Sequence, residues 1–124
     1  TINGILAQRL VRRLCGECRQ SYDPLPGYFR QIGLSEDRVR RAQLWRARGC
    51  PACRGTGYFG RISILELMPM SAEIRRLILA HAETQEIERS AIDAGMGTMF
   101  ASGMALALAG TTTVEEVLRA TRAV

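Results

Sequence analysis

A chain of 124 residues, 47% of them hydrophobic, is long enough for one modest core or two small ones, and it holds no apolar run of membrane-spanning length. All 17 basic residues are arginine, which excludes a Walker A phosphate loop within the chain, because that loop requires a lysine. The net charge of +5 is unevenly held: residues 1–60 carry eleven arginines against four acids (+7), residues 61–124 six against eight (−2), so the first half suits an anionic partner.

Residues 4–14 read as a helix. Leu6, Leu10 and Leu14 recur at i, i+4 and i+8, Ile5, Ala7 and Val11 widen the stripe, and Asn3 is placed to cap it. The chain begins at Thr1 rather than Met, as expected of a fragment cut from a longer protein.

All four cysteines follow, as Cys15-Gly-Glu-Cys18 and Cys50-Pro-Ala-Cys53. Two residues between thiols let one tight turn aim both sulfurs at a single ion. Two such pairs make a closed tetrahedral site, so Cys15, Cys18, Cys50 and Cys53 are the expected ligands of one structural zinc, with iron second. Two disulfides or four unrelated buried thiols are the competing readings; a disulfide framework belongs to secreted chains, and nothing here reads as a signal peptide. A dithiol redox motif would need only one pair. His81, on a helical stretch, is read as an ordinary histidine and not a ligand.

Between the pairs, Pro24 and Pro26 forbid a regular helix. Tyr28, Phe29, Ile32 and Leu34 form an apolar patch read as covering the metal. Ser35 caps a short charged helix, and Trp45 is read as a lid on the metal module. Gly55, Gly57 and Gly60 demand a sharply turning backbone. Ile62–Met68 is a strand that Pro69 ends.

Four helices complete the chain. Ser71 starts one carrying Ile74, Leu77 and Ile78. Thr84 starts a second, which ends at Gly95, and Thr98 a third, closed by Gly110. Thr113-Val-Glu-Glu116 is a capping box for the fourth, which accounts for Glu115 and Glu116. Helices this short must pack together. No catalytic residues converge in this half. The fold expected is α+β, mostly α: a four-cysteine zinc module with short strands, plus a C-terminal four-helix subdomain whose folding does not depend on the metal.

Several segments then line up in order with one family. Ala7-Gln-Arg-Leu-Val-Arg-Arg-Leu-Cys-Gly-Glu-Cys18 resembles the "AQRLVRxLCxxC" entry to the zinc region of type II secretion ATPases and type IV pilus assembly ATPases. Cys50-Pro-Ala-Cys-Arg-Gly-Thr-Gly-Tyr-Phe-Gly-Arg61, continued by Ile64, Glu66 and Leu67, is similar to "CxxCxxTGYxGRxGIxEL". Ala94-Gly-Met-Gly-Thr-Met99 and Ala109-Gly-Thr-Thr-Thr-Val-Glu-Glu-Val-Leu-Arg119 resemble the closing "AGMxTL" and "GxTTxEEVLR" segments. Ser63 departs from the family's usual Gly. Residues 101–110 replace a more charged pattern, so their helix is expected to be more apolar and free to pack against another copy.

The resemblance implies a carboxy-terminal piece of a hexameric motor. Residues 1–14 would be a helix at the edge of a RecA-like ATPase core, 15–60 the zinc module, 61–69 a strand returning to the core, and 70–124 the helical subdomain. The family is cytoplasmic and docks on the inner face of the bacterial inner membrane. Its implied partners are neighbouring subunits of the ring and inner-membrane platform proteins. ATP and magnesium would be held by motifs upstream, so this piece alone is expected not to hydrolyse ATP. A second reading is an arginine-rich zinc module that binds nucleic acid, but the arginines lack interleaved aromatics beyond Trp45 and no recognition helix stands out. A third, a chaperone-type "CxxCxGxG" module, fits only the second cysteine pair.

Overall fold

The computed structural model describes residues 2–33 and 43–122. The frame is a long two-stranded antiparallel ribbon. β1 (Gly4–Leu14) pairs with β4 (Tyr58–Pro69) from Gly4 opposite Pro69 to Leu14 opposite Tyr58, with one irregularity between Arg12 and Leu14. Residues 15–57 are therefore an excursion at the closed end of a hairpin. Within it lie β2 (Gln20–Tyr22) and β3 (Leu44–Arg46), paired as a small second sheet, and the single turn α1 (Tyr28–Gln31). Beyond the ribbon come α2 (Ala72–Leu79), α3 (Thr84–Asp93), α4 (Met99–Leu108) and α5 (Val114–Thr121).

The helix expected over 4–14 is a strand. A four-residue recurrence of leucine fits a helix, but it also fits a strand, where Leu6 and Leu10 share one face because side chains alternate. Tertiary pairing with β4 settles the ambiguity. Odd positions of β1 face the helices: Val11 is buried with Ile64 and Ala120 against Met99 and Leu106. Leu6 and Leu10, on the opposite face, are exposed, whereas Leu14, past the irregularity, is buried. The later strand and all four helices form as expected. Ser71, Thr98 and Thr113 each accept a hydrogen bond from the backbone N–H three residues on, as N-caps do. Leu34 and the short helix expected from Ser35 lie outside the described residues.

The main core crosses the boundary between the cysteine segment and the helices. Phe29, Ile32 and Leu44 are buried together with Met104, Ala107, Val114 and Val117. The patch expected to cover the metal thus packs on α4 and α5. Trp45 sits at the same seam, where the Arg19 guanidinium stacks on its ring at 4.3 Å and donates to the Gly110 carbonyl at 2.6 Å. Gly110 has φ 81°, and a Cβ there would meet Trp45 Nε1 at 3.0 Å. Glycine is needed both for the left-handed backbone and for the close approach. Buried Ile74, Leu77 and Ala91, on α2 and α3, stand apart from this cluster.

Candidate metal centre

The ribbon's closed end brings the two cysteine pairs together. Leu14 and Cys15 leave β1 just where Gly57 and Tyr58 enter β4, and the Cys15 N–H donates to the Gly57 carbonyl at 3.0 Å. The second pair is shaped by a turn of 3-10 helix over Pro51–Cys53, followed by Arg54 and Gly55 in left-handed conformation. The Gly55 N–H closes this turn on the Cys50 carbonyl at 2.9 Å. Gly57, also left-handed, passes against Ala47 so closely that a Cβ would lie 2.5 Å from that side chain.

Sequence pairs separated by more than thirty residues thereby converge. The four Sγ atoms lie within 4.8 Å of one another. Cys15 to Cys50 is 3.7 Å, Cys18 to Cys53 is 3.8 Å, and Cys50 to Cys53 is 3.7 Å. A tetrahedral ion with Zn–S bonds of ~2.3 Å requires sulfurs ~3.8 Å apart, whereas a disulfide requires ~2.05 Å. The four thiols are free, and their spacing fits a closed tetrahedral metal site and not two disulfides. Backbone donors complete the fit. Gly49 N–H points to Cys18 Sγ at 3.3 Å, and Cys50 and Gly57 N–H point to Cys53 Sγ at 3.2 and 3.1 Å. Such donors stabilise sulfur as thiolate and orient it, the usual outer shell of a metal ligand.

The thiols' electrostatics are unequal. At Cys53, burial opposes ionisation, but the N–H groups of Cys50 and Gly57 and the thiols of Cys50 and Cys18 outweigh it and draw the thiol down to about 6. At Cys50, a backbone hydrogen bond from Cys53 favours the thiolate. Desolvation and the neighbouring thiols of Cys53, Cys15 and Cys18 overcome it and push the group up to about 11. Crowded sulfurs resist successive ionisation, and a divalent cation removes that conflict by taking all four as thiolates. Cys15, Cys18, Cys50 and Cys53 would hold such an ion with no open position, so its contribution when bound is structural. His81 lies beyond the end of α2 and outside this group.

A second polar centre escaped the sequence reading. Glu116 was explained there as half of a capping box; the Thr113 half forms, but the carboxylate turns toward β1. It accepts from the Arg12 backbone N–H at 2.7 Å, from the Arg12 guanidinium at 3.1 Å, and from Arg119 at 3.1 Å through both oxygens. The residue is only 2% exposed. Burial would raise its pKa, yet the donors of Arg119 and Arg12 prevail and hold the carboxyl down at about 2. Thr112 adds a bond from its hydroxyl to the Arg12 carbonyl at 2.7 Å, so the loop before α5 clasps β1. Glu66 plays a lesser part of the same kind, accepting from the Met99 N–H at 3.0 Å to cap α4 beside Thr98. The local signal for Glu116 was the Thr-x-x-Glu box itself, which hid the long-range role; Arg12 is 104 residues away.

No helix among the described residues is long and apolar enough to cross a membrane. Residues 1–119 match the family model described as "Type II/IV secretion system protein". The chain is 45% identical over 118 residues to a type IV pilus assembly ATPase, PilB, of Thermus thermophilus, covering 95% of this chain and 13% of that protein. It is 44% identical over 119 residues to the type II secretion system protein HxcR of Pseudomonas aeruginosa, covering 96% and 21%. It is 43% identical over 127 residues to type II secretion system protein E of Xanthomonas campestris pv. campestris, covering 98% and 21%. The chain thus spans about a fifth or less of the length of these relatives. With nearly its whole length matched, the chain belongs to the type II/IV secretion system protein family.

Proposed function

We propose that these residues are the zinc-held structural and interaction module of a cytoplasmic motor that powers type II secretion or type IV pilus assembly, and not the motor's nucleotide site. The observation that carries this reading is the four-thiol cluster at tetrahedral spacing, built between the ribbon and a core shared with α4 and α5. The absence of lysine from the chain supports the second half of it. ATP and magnesium are held by parts of the motor outside these residues. The ribbon belongs to the edge of a RecA-like core, and the module projects from that edge toward neighbouring subunits of a hexameric ring or toward platform proteins at the bacterial inner membrane. Zinc fixes the shape of the projection and does no chemistry.

Metal analysis of freshly purified, reduced protein tests the reading. One zinc per chain is expected, released on titrating the thiols and lost in Cys15→Ser or Cys53→Ser. Protein that is folded and reduced yet carries no stoichiometric metal would overturn it.

A further inference from the structure

The four sulfurs differ in access and in neighbours. Cys15 and Cys53 are 3% and 4% exposed, whereas Cys18 and Cys50 are half-buried, so one sulfur of each pair is open to a small solute. Cys18 has its close sulfur, Cys53 at 3.8 Å, in the other pair. Cys50 touches Cys15 across the pairs at 3.7 Å and also Cys53 at 3.7 Å, three residues away in its own turn.

What holds these contacts together also differs. The backbone closes the Cys50–Cys53 turn by itself: the Cys53 and Gly55 N–H groups donate to the Cys50 carbonyl at 3.3 and 2.9 Å. The Cys50 N–H in turn reaches Cys53 Sγ at 3.2 Å. A Cβ at Gly49, where φ is 105°, would lie 2.7 Å from the Gly55 carbonyl oxygen, so the chain entering this turn is pressed against the chain leaving it. The cross-pair contacts join residues 35 positions apart and depend on the two pairs being drawn to one centre. Cys53 is therefore the neighbour that stays beside Cys50 when that centre is disturbed.

We propose that the Cys50–Cys53 turn is a redox latch: a hydroperoxide converts it to a disulfide, which withdraws two of the four metal ligands and loosens the core that residues 15–57 share with α4 and α5. The inference rests on the reading of the cluster as a zinc site. With hydrogen peroxide as oxidant the step balances. The Cys50 sulfur attacks one peroxide oxygen, the O–O bond breaks, hydroxide leaves, and Cys50 becomes a sulfenic acid. The Cys53 sulfur then attacks the Cys50 sulfur; the S–S bond forms, the S–O bond breaks, and a second hydroxide leaves. The two sulfurs lose two electrons, the peroxide gains them, and two solvent protons turn the hydroxides into water. A disulfide places its sulfurs ~2.05 Å apart, so the pair closes by about 1.7 Å. Cys15 and Cys18 are then two ligands of a site that needs four. With the site undone, Phe29, Ile32 and Leu44 lose what keeps them against Met104, Ala107, Val114 and Val117.

Hydrogen peroxide added to the zinc-loaded motor polypeptide carrying these residues tests the latch. Three readouts besides ATP turnover are followed: zinc released to a chromophoric chelator, disulfides mapped in peptides, and amide exchange. One zinc is expected to leave for each Cys50–Cys53 disulfide formed. Amides of residues 99–122 are expected to lose protection at least about tenfold and those of 72–93 less than about threefold, and a dithiol with added zinc restores both. Cys50→His keeps a metal ligand but offers Cys53 no sulfur, and is expected to slow zinc release at least about tenfold; release at the unsubstituted rate would overturn the latch. A Cys15–Cys50 or Cys18–Cys53 link as the final product in the unsubstituted motor would overturn it too, because either ties the two pairs together. That mapping decides the matter even where Cys50→His binds no zinc. Unchanged protection of 99–122 after release would overturn the coupling to the helices. Zinc retained while the chain's methionines are already oxidised would overturn the latch and leave the proposed function standing; a motor without zinc before oxidant is added would remove both.

Discussion

Removing the metal is expected to loosen α4 and α5 along with the cysteine segment, because the two share a core. Consider Cys50→Ser, or a chelator on the intact chain. Structural zinc supplies ~10–16 kcal/mol of binding energy that is felt as folding energy, and among the described residues of 15–57 the regular structure that would hold the segment otherwise is two three-residue strands, the single turn α1 and the 3-10 turn Pro51–Cys53. When that segment opens, Phe29, Ile32 and Leu44 leave the cluster around Met104, Ala107, Val114 and Val117. At about 1.5–3 kcal/mol for each buried side chain, the helices lose on the order of 5–9 kcal/mol of apolar burial. The Arg19 to Gly110 hydrogen bond goes too, worth about 1 kcal/mol. Helices of ten and eight residues do not survive such a loss unaided. The buried residues of α2 and α3 lie outside this cluster and are spared. Sequence alone led to a different expectation, that residues 71–122 stay helical without metal; the shared core replaces it. Hydrogen exchange read by mass spectrometry on the apo protein decides between them. Residues 15–57 and 99–122 are expected to lose protection together while 72–93 lag behind. Full protection of 99–122 in a metal-free chain whose 15–57 segment exchanges freely would refute the reasoning.

Two further outcomes follow from particular contacts. Glu116 has a folded pKa of about 2, depressed from an ordinary carboxyl value, so its contribution is fully present above about pH 5 and is lost as pH falls toward 2. The shift sets a ceiling of about 3 kcal/mol, which the exposed arginine partners reduce, so acid titration of Glu116→Gln should show a chain about 1–2 kcal/mol less stable at pH 7 and a shallower loss between pH 5 and 2; parallel acid curves for the two proteins would show the carboxylate to be inert. Gly110→Ala places a side chain on a left-handed backbone against Trp45 and is expected to cost about 1–3 kcal/mol by denaturant midpoint, with a change in Trp45 fluorescence that a strain confined to the backbone would not produce.

The four-cysteine cluster was legible in the sequence because its information is local: two residues between thiols form a turn wherever the chain places them, and four sulfurs with no remainder suit one site. Helix starts at Ser71, Thr98 and Thr113 were legible for the same reason, since a cap is decided within three residues. What the sequence could not settle was every choice that depends on a distant partner. Leu6, Leu10 and Leu14 satisfy a helix and a strand equally, and only the β4 residues Tyr58–Pro69, more than forty positions on, make the strand. Glu116 belongs to a local cap by spacing, yet the buried carboxylate needs cations, and tertiary packing supplies Arg12 from 104 residues earlier in the chain. Phe29 and Ile32 were visible as part of an apolar patch between the cysteine pairs. Their destination on α4 and α5 was not, because hydrophobic burial has no direction until the fold supplies a surface.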